Sequence, residues 1–272
     1  MAGLRDVQGR VALVTGASSG IGEALARELA RRGARVALIG RRKPRLDAIA
    51  AEVTRAGLSA HAFACDIRDP AAIARTGAAV RSAVGEISLL INSAGYAHHG
   101  PFADHDPADI EAMLQTNYMG TVHWIKQVLP GMREQREGWI VNVSSFAGKL
   151  GQADEVAYSA SKFAVSGLSE GLFQELAPLG IHVLCVHPTL VQTEMFTPEV
   201  LARMPGRTPK FMSADEFARR TLRALARGRS QAVIPARMRG PILLNALFPD
   251  WMGRMVGRVK LAALARAGVD AD

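Results

Sequence analysis

The sequence has little cysteine and no long apolar run. Its 272 residues include two cysteines, Cys65 and Cys185, too few for a disulfide framework, so we expect buried thiols in a reducing compartment. No stretch approaches the roughly 18 to 20 apolar residues of a membrane-spanning helix. Residues 1–10 are polar and charged and lack the apolar core of a signal peptide. We therefore expect a cytoplasmic protein, with peripheral attachment to the inner face of a membrane as an alternative.

Acidic residues are outnumbered by basic ones. The 33 Lys and Arg residues against 25 Asp and Glu residues give a net charge of +8. This charge favours an acidic partner, such as a phosphorylated cofactor, an anionic membrane face or a nucleic acid. The sequence contains no nucleic-acid-binding motif, so we expect no nucleic-acid partner.

Short β-branched runs alternate along the chain with helical patterns rich in Ala, Leu and Arg. The predicted strands are residues 11–15, 35–39, 60–65, 87–91, 139–143, 182–186 and 232–234. The predicted helices are residues 21–31, 44–55, 70–84, 107–132, 156–177 and 214–226. This alternation predicts an α/β fold, a doubly wound parallel seven-stranded sheet with helices on both faces, in a single domain over residues 1–235.

A glycine-rich turn follows the first predicted strand. Residues 15–22 read Thr-Gly-Ala-Ser-Ser-Gly-Ile-Gly and lead into a helix. Glycines let the backbone turn tightly and approach a pyrophosphate, and a helix N-terminus offers free N–H groups and a positive dipole end. The turn therefore predicts a dinucleotide-binding site, the alternative being a strand–helix turn with no ligand.

The second predicted strand is followed by Gly40, Arg41 and Arg42. A site for NAD places an acidic residue here to accept hydrogen bonds from the ribose. A guanidinium can instead hold a 2′-phosphate through two hydrogen bonds. The two arginines therefore favour NADP over NAD, with a solvated basic turn as the alternative.

Tyr158 and Lys162 are four residues apart on a predicted helix, so their side chains lie on one face. A free phenol has a pKa of about 10 and is a poor base at neutral pH. A neighbouring ammonium stabilises the phenolate and lowers its pKa, which makes the tyrosine a usable acid or base. Because such pairs are also common on helix surfaces, the spacing alone does not establish a site.

In their order along the chain, these motifs resemble those of the short-chain dehydrogenase/reductase family, in its single-domain branch. The resemblance extends over about residues 8 to 235. The matching positions are Thr15, Gly16, Gly20 and Gly22 in the glycine turn, Asn92, Ser93, Ala94 and Gly95 after the fourth strand (with Ser93 in place of a second Asn), Asn117, Ser145, Tyr158 and Lys162. The resemblance implies a Rossmann-type fold and an NAD(P)-dependent oxidoreductase.

The resemblance also implies catalytic roles. Tyr158 is expected to protonate a carbonyl oxygen, or to deprotonate an alcohol in the reverse direction, and Ser145 to hydrogen-bond that oxygen. Lys162 is expected to lower the pKa of Tyr158 and to bind the cofactor ribose, and Asn117 to hold a water molecule that connects Lys162 to bulk solvent. The adjacent Ser144 is expected to be structural, because the family's serine lies 13 residues before its tyrosine, as Ser145 does here.

The cofactor site that the resemblance implies is built from several turns. It comprises Gly16, Ser18, Ser19, Gly20, Ile21, Gly22, Arg41, Arg42, Asp66, Ile67, Asn92, Ala94, Gly95, Tyr158, Lys162, Pro188, Val191 and Thr193. Thr189 stands where the family has glycine, and Ser19 where some NADP-binding members have a basic residue. The NADP preference therefore depends on Arg41, with Arg42 as a further contributor.

These assignments predict an enzyme that transfers a hydride between NADP(H) and a carbonyl or secondary alcohol, with NAD(H) less favoured. The alternative is a non-catalytic protein of the same fold that senses NADP(H), although the intact catalytic set argues against it. Residues 193–213 are rich in Met and Phe and either cover a hydrophobic substrate or pack on the protein body. His98 and His99 are expected to line the pocket or a loop rather than to bind a metal.

Residues 236–272 form a basic and apolar C-terminal extension. Leu, Met, Phe248 and Trp251 are mixed with arginines on both sides of Pro249, which predicts one or two amphipathic helices. Such a segment can dock on the domain, join subunits or lie on an anionic membrane. The resemblance further implies a homodimer or homotetramer, in which the helices that begin near residues 107 and 156 pair through small residues.

Overall fold

Seven parallel strands form the centre of the molecule. In the computed structural model, which describes residues 4, 6–204, 210–266 and 268, the strands are β1 (Val11–Thr15), β2 (Arg35–Gly40), β3 (Ser59–Ala64), β4 (Ile87–Asn92), β5 (Gly138–Val143), β6 (Ile181–Pro188) and β7 (Gln231–Ile234). Their order in the sheet is β3-β2-β1-β4-β5-β6-β7, and every neighbouring pair is parallel. The predicted parallel seven-stranded α/β fold is confirmed.

Helices connect the strands and cover the sheet. They are α1 (Gly20–Arg31), α2 (Lys43–Arg55), α3 (Pro70–Ala83), α4 (Pro107–Leu114), α5 (Gly120–Gln135), α6 (Val156–Leu176), α7 (Pro198–Ala202), α8 (Ala214–Ala226), α9 (Arg239–Leu247) and α10 (Pro249–Arg266). Most of the predicted boundaries differ from these by one or two residues. The segments predicted as helices 21–31 and 214–226 therefore correspond to α1 and α8.

Two apolar cores lie on opposite faces of the sheet. One contains Leu13 of β1 with Trp124 of α5, and the other contains Val14 of β1 with Leu25 of α1 and Phe217 of α8. Successive residues of a strand point to opposite faces, so the alternation of Leu13 and Val14 separates the two cores. Burial on both faces explains why the central strands are continuous apolar runs rather than alternating ones.

The long helix predicted over residues 107–132 is divided. A π-helix over Gln115–Met119 separates α4 from α5. Helical turns of this kind shift the register of the backbone hydrogen bonds and are frequent at functional sites. The period of the apolar residues does not report such a local change, because helical patterning continues on both sides.

The C-terminal extension forms two helices, with the break at Pro249. α9 precedes it and α10 begins with it. α10 packs Met252, Lys260 and Leu264 inward, so at least this part of the extension docks on the body of the protein. No helix among the described residues is both long and apolar enough to span a bilayer. Both cysteines are free and buried.

Candidate active site

The carboxyl ends of the strands open into a large cavity. Its volume is about 760 Å³, and it is lined by the turns that follow β1 to β6 and by one face of α6. The order of the strands reverses between β1 and β4. In open α/β sheets, ligands bind in the crevice at this point of reversal.

The glycine turn after β1 leaves no room for side chains. Gly16 has a φ of +67°, and a Cβ atom there would lie 2.8 Å from Cα of Ala94. A Cβ atom on Gly22 would collide with the carbonyl oxygen of Gly16. At the N-cap of α1, the hydroxyl of Ser19 makes no capping hydrogen bond within the described part of the chain. The backbone and the helix N-terminus are therefore exposed to the cavity in the way that a pyrophosphate requires.

Arg42 lies across the same turn. Its Nη2 donates to Oγ of Ser18 at 3.0 Å and to Oγ of Ser19 at 2.6 Å. Its Nη1 is 3.0 Å from Oε2 of Glu194, in the segment that follows β6. The guanidinium and the two hydroxyls thus form a cluster of donors beside the glycine turn, and a phosphate needs such donors.

Asp66, after β3, also lines the cavity. Arg68 binds both oxygens of its carboxylate, with Nη2 2.6 Å from Oδ2 and Nε 3.1 Å from Oδ1. This hydrogen bonding is the main cause of a lowered pKa of Asp66, and the charge of Arg41 contributes less. Asp66 is therefore an ionised acceptor at this end of the cavity, already paired with Arg68, which the sequence analysis did not single out.

Tyr158, Lys162 and Ser145 converge on the middle of the cavity. The first two lie on one face of α6, and Nζ of Lys162 is 5.7 Å from the centroid of the phenol ring. Nζ also donates to the carbonyl oxygen of Val143 at 3.1 Å. Ser145 follows β5, and its Oγ accepts the N–H of Ala147 at 3.1 Å, which fixes the position of the hydroxyl.

The pKa of Tyr158 departs from the expectation in direction. Burial raises it to about 12, and a hydrogen bond with Ser145 opposes the rise less strongly. Burial also lowers the pKa of Lys162 to about 8. Desolvation of the phenolate outweighs any lowering by the ammonium of Lys162, whose Nζ is 5.7 Å from the ring centroid. The expected lowering of the Tyr158 pKa by Lys162 stays a prediction. At neutral pH the phenol therefore keeps its proton.

Ser144 also lines the cavity, but its hydroxyl is bound to α6. Its hydroxyl donates to the carbonyl oxygen of Lys162 at 2.8 Å and lies 3.0 Å from Oγ of Ser166. Ser144 is 2% exposed and ties the end of β5 to α6. The hydroxyl therefore has the surroundings of a structural group.

Asn117 lies in the π-helix and outside the cavity wall. Its Oδ1 accepts the N–H of Tyr96 at 3.0 Å, and its Nδ2 donates to the carbonyl oxygen of Tyr96 and to Oγ of Ser161, both at 3.0 Å. A Cβ atom on Gly95 would lie 2.9 Å from Oδ1 of Asn117 and 3.3 Å from Nζ of Lys162. Oδ1 of Asn117 and Nζ of Lys162 therefore both lie close to Gly95. Both amide N–H groups are used, which leaves one lone pair of Oδ1 for the water molecule expected here.

Asn92 is the exception among the residues predicted to bind the cofactor. All the others line the cavity. Nδ2 of Asn92 donates to Oδ1 of Asn142 at 2.9 Å, across β4 and β5. Asn142 in turn donates to Oγ of Ser169 at 2.9 Å. Contrary to the expectation, the Asn92 side chain therefore lies within the buried interior, where it joins the sheet to α6.

The segment after β6 lines the other end of the cavity with apolar side chains. They are Met195, Phe196, Val200 and Met204, joined by Met238 from the turn after β7. Phe196 also packs edge-to-face on Phe211, with ring centroids 4.9 Å apart. Of the two interpretations of residues 193–213, the lining position favours a cover over the substrate. Residues 205–209 of this segment lie outside the described residues.

Two polar residues that line this end of the cavity, Glu155 and Lys260, were not predicted as site residues. His99, for which the sequence left the pocket or a loop open, also lines the cavity. His98 does not, and its Nδ1 instead lies 3.0 Å from Oδ2 of Asp109 on the surface. Glu155 could have been noticed because it lies three residues before Tyr158, which is almost one helical turn. No local signal marks Lys260, because α10 brings it to the site from a distant part of the chain.

Comparison with known proteins places the chain in a family. The model of the family described as short chain dehydrogenase matches residues 10–203. D-threitol dehydrogenase of Mycolicibacterium smegmatis is 38% identical over 189 residues, which cover 70% of this chain and 73% of that protein. An uncharacterized oxidoreductase of Myxococcus xanthus is 31% identical over 247 residues, covering 91% of this chain and 96% of the relative.

A solved structure agrees in fold and in sequence. The short-chain dehydrogenase from Sphingobium yanoikuyae, in complex with NADPH, has a TM-score of 0.77 and 32% sequence identity, and the match covers 90% of this chain and 95% of that one. The glycine turn, the Tyr158–Lys162 pair and strands β1 to β6 all lie in the part that the family model matches. The chain therefore belongs to the short-chain dehydrogenase family and is an oxidoreductase.

Proposed function

We propose that the protein uses NADPH to reduce a hydrophobic ketone or aldehyde, or catalyses the reverse oxidation of the alcohol. The observation that carries this proposal is the convergence of Tyr158, Ser145 and Lys162 on one cavity that also contains the glycine turn. Bound NADPH would supply the hydride. The residues of the chain would supply the position of the carbonyl and the proton for its oxygen.

Tyr158 is proposed as the proton donor in reduction. Because its pKa is raised to about 12, the phenol carries its proton at neutral pH and can give it to the carbonyl oxygen. Ser145 would hydrogen-bond the same oxygen and stabilise its developing negative charge. Lys162, charged at neutral pH with its pKa at about 8, would bind the ribose hydroxyls and return a proton to Tyr158.

The preference for NADP is proposed from the charge beside the glycine turn. Gly40, Arg41 and Arg42 line the cavity, and no carboxylate ends β2. The guanidinium of Arg42, with the hydroxyls of Ser18 and Ser19, forms a donor cluster for a 2′-phosphate. The NADPH bound to the Sphingobium relative supports the same choice.

The test is NADPH oxidation measured against ketones and aldehydes graded in length and ring count, with NADH in parallel. We expect turnover that increases with apolar size and favours NADPH. Tyr158→Phe should bind NADPH nearly as well as the wild type, because the phenol oxygen is the only atom removed, but its turnover should fall at least about a hundredfold. Tyr118→Phe is the matched control, since Tyr118 does not line the cavity.

Full turnover by Tyr158→Phe would show that another group is the acid. Tight NADPH binding by the wild type without turnover of any carbonyl compound would instead favour the alternative, a non-catalytic protein that senses NADP(H). One relative is named for a polyol, D-threitol dehydrogenase, so small polyols are a useful second panel.

We also propose that the chain divides into a Rossmann-type domain over residues 1–235 and a helical extension over residues 236–272. In addition, we propose two contact surfaces, one on α6 and one on the extension. The outer face of α6 exposes Val156, Phe163, Gly167 and Gly171, and both glycines have open space where a Cβ would be. Such a face suits close pairing with the same helix of a second subunit, as a homodimer or homotetramer. The exposed side of the extension is proposed to bind an anionic membrane. We also propose that the protein is located in the cytoplasm.

A further inference from the structure

Charged side chains cluster at the substrate end of the cavity and are shielded from water. Nη1 of Arg203 is 2.7 Å from Oδ1 of Asp154, and Nζ of Lys260 is 3.5 Å from Oδ2 of the same carboxylate. Nζ of Lys260 is also 4.0 Å from Oε1 of Glu155. The side chains of Asp154 and Lys260 are 0% and 7% exposed. Burying so many charges is costly, so the cluster calls for an explanation.

The cluster is held in place by several elements. Asp154 has a φ of +67°, which is left-handed and uncommon for a residue other than glycine. Its carbonyl oxygen accepts the N–H of Gly100 at 3.0 Å. Asp154 thus joins the turn after β4, the approach to α6, the end of α7 through Arg203 and α10 through Lys260. Strained backbone that the surroundings maintain is frequent at ligand sites.

Two polar atoms of this cluster are left without hydrogen bonds. Within the described residues, Nε2 of His99 and Oδ2 of Asp154 are buried and have no hydrogen-bond partner. His99, Glu155 and Lys260 all line the cavity next to Tyr158. Buried polar groups in native proteins are almost always paired. Asp154 is not part of the cavity wall, and its Oδ2 is 3.5 Å from Nζ of Lys260. His99 does line the cavity, so its unpaired Nε2 indicates a ligand with a hydrogen-bonding group.

The charges of the cluster balance. Arg203 and Lys260 are opposed by Asp154 and Glu155. Burial raises the pKa of Glu155 while Lys260 opposes that rise, and burial lowers the pKa of His99, which favours a neutral imidazole. A balanced site does not favour an anionic ligand. The ammonium of Lys260 can donate a hydrogen bond and the carboxylate of Glu155 can accept one, which is the pair that a hydroxyl group requires.

We propose that Lys260, Glu155 and His99, which line the same cavity as Tyr158, form a subsite for a hydroxyl group of the substrate. The substrate class is then a hydroxyketone or a diol. This inference rests on the proposed function, since it deepens the assignment of the same cavity. Lys260 acts here as a specificity-determining residue and takes no part in the hydride or proton transfer.

The test uses methyl ketones of equal carbon number that end in a methyl group, a hydroxyl or a carboxylate, over a range of lengths. At the best length, kcat/KM for the hydroxyl compound should exceed that for the methyl compound at least about tenfold. Lys260→Met should abolish this ratio, because a methionine side chain cannot donate a hydrogen bond to the hydroxyl. Arg258→Met is the matched control on the exposed side of α10 and should keep the ratio.

Glu155→Gln provides a second variant of nearly the same shape and should also lower the ratio. Thermal stabilisation of the NADPH-loaded protein by each ketone gives a readout that does not need turnover. If ketones with a hydroxyl stabilise the protein and Lys260→Met removes that stabilisation, the subsite is supported, even when no NADPH is oxidised. The absence of NADPH oxidation would contradict only the proposed function. Three results would overturn the subsite and leave the proposed function intact. They are turnover of methyl ketones with no gain from the hydroxyl at any length, a preference for the carboxylate, and an equal loss of activity for all ketones in Lys260→Met.

Discussion

Gly40 determines both the space and the charge at the end of β2. A Cβ atom built there would lie 3.6 Å from Oγ of Ser18 and 3.7 Å from Cδ1 of Leu46, which are ordinary contacts. The position therefore has room for a Cβ atom without displacing its neighbours. Because β2 ends beside Arg41 and Arg42, an acidic side chain at residue 40 would both neutralise the arginines and accept hydrogen bonds from a ribose.

Gly40→Asp is expected to change the cofactor preference. Affinity for NADPH should fall, because the carboxylate repels the 2′-phosphate, and affinity for NADH should rise, so that the ratio of the two dissociation constants changes at least about tenfold. Titration of the intrinsic fluorescence with each cofactor measures both constants. Gly40→Asn has the same shape without the charge, and an equal change in this variant would show that bulk and not charge is responsible.

Single residues also show what spacing can and cannot predict. The four-residue interval of Tyr158 and Lys162 correctly places both side chains on one face of α6. It does not reveal the pKa of Tyr158, because desolvation depends on how completely other elements cover the ring. Ser144 and Ser145 are similar in this respect: adjacent in sequence, they acquire different surroundings only because α6 covers one of them.

At the scale of elements, β6 contains two buried histidines. Nδ1 of His187 is 3.2 Å from the carbonyl oxygen of Ser145, and Nε2 of His182 is 3.0 Å from the carbonyl oxygen of Arg229. Burial lowers the pKa of His187 from 6.5 to about 4 and lowers that of His182. Each histidine is therefore neutral in the folded protein at a pH at which the unfolded chain binds a proton.

Acidification from pH 7 to pH 5 is expected to destabilise the protein through β6. Below about pH 6.5 the unfolded chain takes up protons that the folded chain does not, so the free energy of unfolding falls as the pH falls towards 4. His187 alone should account for about 2 kcal/mol of this loss at pH 5. His187→Asn retains a donor for Ser145 but cannot titrate, and in urea unfolding it should lose correspondingly less stability than the wild type.

His61→Asn is the control for this experiment, since His61 is exposed on β3. It should show the same pH dependence as the wild type. If His187→Asn and the wild type lose equal stability between pH 7 and pH 5, burial of His187 is not the cause of the acid sensitivity.

Features formed by residues that are close together in the sequence were predicted most accurately. The glycine turn, the strand ends and the start of α6 are local patterns, and the structure has them where the sequence predicts them. The interruption of the long helix at Gln115–Met119 and the contact of α10 with Asp154 were not predicted. Both depend on packing between distant segments, and no periodicity within one segment records that packing.

At the scale of the whole molecule, the C-terminal helices form an amphipathic surface. Its exposed apolar residues are Leu243, Leu244, Leu247, Phe248, Trp251, Met255, Val259 and Leu261. Within residues 236–266, five exposed arginines accompany one exposed carboxylate, that of Asp250. Apolar side chains beside basic ones are typical of surfaces that insert into the headgroup region of anionic bilayers. A symmetric contact between two such surfaces would bring like charges together.

We expect the protein to co-sediment with vesicles rich in phosphatidylglycerol and not with vesicles of phosphatidylcholine alone. Trp251→Glu combined with Leu247→Glu should reduce the bound fraction several-fold, because the exposed side chains would then oppose insertion. Phe102→Glu, at an exposed phenylalanine outside the extension, should bind as the wild type does. Equal sedimentation of all variants would contradict the membrane proposal. If the double variant instead keeps its vesicle binding but shows a lower molar mass by light scattering, the surface is a contact between subunits.

The position of Lys260 in the chain has a consequence for engineering and for naming. The family model ends at residue 203, whereas α10, which completes the wall of the cavity, begins at Pro249. The part of the chain that identifies the family is therefore separate from a part that lines the cavity. Membership of the family is therefore not sufficient to assign a relative's substrate to this protein. A library of variants confined to α10 could change the substrate specificity without changing the glycine turn that is proposed to bind the cofactor.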